Sequence, residues 1–103
     1  MFKKFEIRPV VIKDDGGVEF CWTYAEAQSI AAGESPIAFG LYGEEPDGLQ
    51  HCYQHIADVS TKPYMLELVK NLFDIVLDWP GQDRIAFDRE GTILNESRII
   101  RST

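Results

Sequence analysis

Residues 63–78, PYMLELVKNLFDIVLD, decide the fold. Met65, Leu68, Val69, Leu72 and Val76 recur at the three-and-four spacing of one helix face, and Trp79 continues the stripe. Leu66, Phe73, Ile75 and Leu77 widen it, so Glu67, Lys70, Asn71, Asp74 and Asp78 make only a narrow polar side. Ser60 or Thr61 can supply an N-cap oxygen. Pro63 suits a first turn, where its missing N–H is not needed, and Pro80-Gly81 ends the run. The spacing predicts one long amphipathic helix over about residues 62–78. Its apolar sides exceed the roughly 100° stripe of an ordinary surface helix, so either the sheet curls around it and the C-terminal hairpin covers the remainder, or a second copy of the chain does.

Working outward, strands surround this segment. Residues 84–87 and 92–94 flank Asp88-Arg89-Glu90-Gly91, a hairpin loop, and residues 97–101 either add a short strand or fray. On the other side, residues 49–59 return against 37–42 across the loop Gly43-Glu44-Glu45-Pro46-Asp47-Gly48. Val18, Phe20, Trp22 and Tyr24 alternate with Glu19, Cys21 and Thr23, the clearest strand pattern in the chain. Thr23 and Glu26 fit a capping box for a short helix at about 24–32, with a meandering connection as the competing reading. Asp14-Asp15-Gly16-Gly17 is a hairpin turn, since glycine tolerates positive φ. Residues 5–13 alternate as a strand, and Pro9, which cannot donate to a ladder, calls for an edge position or a bulge. The fold class expected is α+β: an antiparallel sheet of about four to six strands packed against one long helix in the C-terminal half.

A chain of 103 residues is expected to form one domain, burying roughly 65% of its unfolded surface without metal or disulfide staples. Cys21 and Cys52 then read as reduced, small core residues. The charged start has no apolar stretch behind it, and no run reaches the ~18 apolar residues of a membrane span; a cytoplasmic location is expected. The net charge of −7 is unevenly placed, because residues 14–61 hold no Lys or Arg but nine acidic residues. Such a field opposes approach to nucleic acid or an anionic membrane, so neither is an expected partner.

Candidate chemistry is sparse. His51, Cys52 and His55, joined by Cys21, have the ligand types of a zinc site. On a strand, however, His51 and His55 stand about 13 Å apart, at ~3.3 Å per residue, and Cys52 faces the other way. Adjacent Cys52 and His51 cannot hydrogen-bond across a strand as nucleophile and base either. Asp14-Asp15 and Glu44-Glu45 lie in turns, where water solvates them. No phosphate-binding glycine pattern occurs, and no metal or cofactor is expected. Phe20, Trp22 and Tyr24 could stack on bases, but without neighbouring cations they read as a sheet's core face.

Three functional readings follow. The first is a non-enzymatic binding module, of a bacterial accessory kind, acting through its acidic centre on a basic protein partner with Glu44, Glu45 and Asp47 as contacts. The second is a small-ligand-binding protein or enzyme with a pocket between sheet and helix lined by Trp22, Tyr24, Tyr53 and His55. The third is a structural homodimer subunit whose wide apolar helix forms the interface. A homodimer is the expected assembly.

Overall fold

The computed structural model describes residues 2–44 and 53–94. Within them the chain runs β1 (Lys4–Ile12), β2 (Val18–Phe20), α1 (Tyr24–Ala31), β3 (Ile37–Glu44), β4 (Tyr53–Val59), α2 (Lys62–Phe73), β5 (Ile85–Asp88) and β6 (Ile93–Leu94). The strands form one six-stranded antiparallel sheet in the order β4-β3-β1-β5-β6, with β2 also paired to β1. The class is α+β, as the patterning predicts.

Pro9 does not put β1 at an edge. The strand is the centre of the sheet, paired with β3 along nearly its whole length and, on its other side, with β5 at residues 4–7 and β2 at residues 10–12. Pro9 falls in the seam between β5 and β2. Its carbonyl accepts from the Cys21 N–H there. In an antiparallel ladder the nitrogen of a residue points to the same side as its carbonyl, so the missing proton faces a gap where neither short strand needs it. A proline is admitted to a central strand because the neighbour on that side is broken in two.

The strand expected from Val18 to Tyr24 stops at Phe20. The residues beyond are claimed by the start of α1, where Glu26 Oε1 accepts from the Trp22 and Thr23 N–H groups and Thr23 Oγ1 accepts from the Glu26 N–H. This capping box satisfies helix-end donors that a continuing strand would leave open. The turn before β2 forms as expected, with Gly16 at positive φ and Lys13 bonded to Gly17.

The long helix is shorter than its periodicity suggests. Thr61 caps α2 and Pro63 sits in its first turn, but the helix is 12 residues long and ends at Asp74, whose φ of 56° is left-handed. Residues 75–79 are not helical: Ile75, Leu77 and Trp79 are buried while Val76 and Asp78 face solvent, the two-residue period of extended chain. The run DIVLDW satisfies both periods, and the tertiary contacts select the second. Gly91, at positive φ in the β5–β6 turn, lets this segment approach, since a Cβ there would lie 2.9 Å from the Val76 carbonyl oxygen. Val76, expected in the buried stripe, is therefore exposed, and Leu72, in the last turn of α2, is exposed as well.

Phe5, Ile7, Phe39, Leu41, Ile85 and Phe87 project from one sheet face into a core with Met65 and Val69 of α2 and with Ile75, Leu77 and Trp79. Val11 and Ile37, on the same face, receive Ala27 and Ala31 of α1. Both helices thus cover one side of the sheet. No helix among the described residues is long and apolar enough to cross a membrane. Glu45, Asp47, His51, Cys52 and residues 97–101 lie outside the described residues.

Candidate functional site

The sheet face turned away from the helices is built by the alternate residues of the same strands. Glu6 and Arg8 stand two apart on β1, so their side chains share that face. Phe20 is paired with Val10, Tyr42 with Glu6, and Tyr53 with Glu44, which brings three rings to the same side. Arg84, just before β5, joins from the other half of the seam, where its N–H donates to the Trp22 carbonyl at 2.8 Å.

These residues form one connected cluster. The Glu6 carboxylate is fully buried, and it accepts from Arg8 Nε through one oxygen and from Arg84 Nη2 through the other. The Arg8 guanidinium lies 5.3 Å from the Phe20 ring centre, 5.2 Å from Tyr42 and 5.5 Å from Tyr53. Arg84 lies 4.8 Å from the Trp22 ring centre. Guanidinium groups suit such places because they are weakly hydrated, stack on rings and still donate in plane. Next to the cluster opens a cleft of about 90 Å³ lined by Arg8, Phe20, Cys21, Trp22 and Arg84.

Neighbouring groups shape the electrostatics. Gly40 leaves space for the Tyr42 ring, since a Cβ there would lie 2.7 Å from the phenol oxygen. The Tyr42 phenol is pushed up to about 12, by burial first and by Asp58 second, while Arg8 pulls the other way and Glu6 adds a little. Burial, helped by Glu6 and Glu44, also raises Tyr53. Burial pushes the Cys21 thiol up as well, with Glu26 and Glu19 contributing, so the sulfur is a neutral thiol at neutral pH and a poor nucleophile.

An alkaline titration followed by phenolate absorbance is expected to show a component centred near 12 that Tyr42→Phe removes. The linked stability runs in a definite direction. The folded state keeps this phenol neutral, whereas an unfolded tyrosine ionises near 10, so stability is intact below pH ~10 and declines from there toward 12. An unchanged titration curve in Tyr42→Phe would refute the assignment.

Of the residues singled out in the sequence, Trp22 lines the cleft and Tyr53 touches Arg8. His55 stands at the margin, its Nε2 3.0 Å from Asp58 and its ring 5.4 Å from Tyr42. Tyr24 is on the helix side, stacked at 6.0 Å on Phe39. Glu44 is largely buried and forms an ion pair with Lys4 at 3.0 Å. Glu6, Arg8 and Arg84 are the residues that sequence reading passed over, and Phe20 and Trp22, read there as a core face, are instead exposed beside the two arginines. Glu6 and Arg8 alternate with the apolar residues of β1, and nothing local links them to Arg84. Among the described residues, no group of three or more His, Cys, Asp or Glu could hold a metal ion. No family model, curated protein or solved structure matches the chain.

Proposed function

We propose that the protein is a small-ligand-binding module that recognises its ligand on the sheet face opposite the helices. One observation carries this reading: Phe20 and Trp22 are exposed beside two arginines at a cleft in the seam of the sheet. Large rings left in water next to partly desolvated cations are the usual composition of a recognition site, a few polar groups set among aromatic surface. The cluster holds no activated nucleophile, which favours binding over catalysis. An amide NMR screen with anionic, neutral and cationic fragments tests the proposal. Saturable shifts centred on Arg8, Phe20, Trp22 and Arg84 are expected. Fragments that perturb only other residues, or none at all, would end it.

The acidic centre offers a weaker basis, because Lys4 and Lys13 already pair Glu44 and Glu19 at 3.0 Å each. A homodimer rests on a separate observation. Tyr64 and Leu72 of α2, and Val76 just beyond it, are exposed apolar groups that a second copy would cover. Light scattering that shows a monomer at all concentrations would remove it.

A further inference from the structure

We propose that the cleft between Arg8 and Arg84 is a carboxylate site, which takes a small monocarboxylic acid with an aromatic or apolar body. This rests on the binding reading above and names the ligand class for the same face.

The first ground is an unmet hydrogen-bonding need. The Arg84 side chain is only 8% exposed, and its Nε and Nη1 are buried without any acceptor. Buried donors are nearly always paired, so a guanidinium that walls a cleft with donors unmet on both of its edges calls for an oxygen acceptor at one of them. Arg84 spends only Nη2 on Glu6. The second ground is charge. Glu6 is one carboxylate facing two guanidinium groups, which leaves the cluster one positive charge in excess. Lys4 is paired with Glu44, and the neighbouring carboxylates Glu26, Asp83 and Asp58 are engaged by the Trp22 and Thr23 N–H groups, the Tyr24 N–H and His55 Nε2 respectively. Partly buried ions need compensation, and a single negative charge supplies it.

The third ground separates carboxylate from phosphate. Both accept from guanidinium forks. A phosphate dianion would overshoot the single excess charge beside a buried Glu6, and it would also approach a chain of net charge −7. The cleft walls then define the rest of the ligand. Phe20 and Trp22 offer ring surface, and about 90 Å³ admits a small acid rather than a polymer. Trp22 lies over Arg84 and is 39% exposed, so carboxylate entry requires its indole to move aside along the guanidinium.

The test titrates the whole protein with phenylacetate, and in parallel with phenylacetamide and inorganic phosphate, while following the Trp22 indole N–H and the Arg84 Nε–H by NMR. The expected result is saturable binding of phenylacetate at both reporters, at least about tenfold tighter than the neutral amide and than phosphate, equivalent to about 1.4 kcal/mol. Arg84→Met, with native amide dispersion, should lose that tenfold preference. Arg84→Lys, which retains the charge but not the fork, should lose most of it. Equal affinity for acid and amide overturns the carboxylate assignment but leaves the binding face standing. Tighter phosphate binding overturns it likewise. Absence of any shift at Trp22 or Arg84 with all three probes overturns the assignment. Should a variant not fold, the wild-type comparison of acid with amide still decides.

Discussion

Replacing Glu6 by alanine should cost about 3–5 kcal/mol of folding stability, the range for removing one partner of a buried ion pair. Glu6 is fully inaccessible and binds Arg8 and Arg84 through separate oxygens. Its loss would leave the buried Arg84 guanidinium and the partly exposed Arg8 guanidinium facing each other with no anion between them. For a domain of this size that corresponds to a fall in Tm of more than about 12 °C, at ~4–8 °C per kcal/mol. Glu6→Gln keeps the shape but removes the charge, and should recover only part of the loss. The exposed pair Lys13–Glu19 serves as the comparison, where Glu19→Ala should cost less than about 1 kcal/mol. Urea unfolding with constant m measures both. A Glu6→Ala protein within 1 kcal/mol of the wild type would mean that water reaches the cluster freely, and the account of the candidate site would fall with it.

Truncation of Phe5 to alanine is expected to cost about 3–5 kcal/mol as well, through a different mechanism. Phe5 is fully buried in the central strand, and its ring lies 4.5 Å from Phe73, 5.5 Å from Phe87 and 6.0 Å from Phe2. It therefore joins the end of α2, strand β5 and the N-terminal residues to β1. A cavity there removes both transferred surface and ring contacts, each ring pair contributing about 0.5–1.5 kcal/mol. Val76→Ala is the control that distinguishes the observed chain path from a continuous helix. Val76 is 75% exposed after the left-handed turn at Asp74, so its truncation should fall within about 0.5 kcal/mol. A helix continuing to residue 78 would bury Val76 and make that change expensive. Comparable losses from Phe5→Ala and Val76→Ala would contradict the core described above.

Both expectations depend on long-range neighbours that short patterns do not reveal. The pattern of β1 was readable, including which residues face the core, but its neighbours were not. Pro9 pointed to an edge because a proline in a ladder normally lacks a role, and only the meeting of β2 and β5 at one seam makes its place in the middle costless. The burial of Glu6 was not legible for a similar reason. Its partner Arg84 is 78 residues away, and no spacing rule relates the two. Residues 74–79 show a third kind of ambiguity, since a short apolar run can satisfy two periods and only the packing distinguishes them.

By itself, the sequence determined the elements whose causes lie within a few residues: the capping box from Thr23 to Glu26, the Thr61 cap with Pro63 behind it, the glycine turn after β1, and the alternation that marks strands. These follow from local sterics and from hydrogen bonds that close over three or four positions. The tertiary structure decided where β1 sits, where α2 stops, and that a carboxylate, two arginines and a group of aromatic rings meet on the side away from the helices. Those outcomes are set by burial and charge compensation between segments far apart in the chain, which act only once the sheet has assembled.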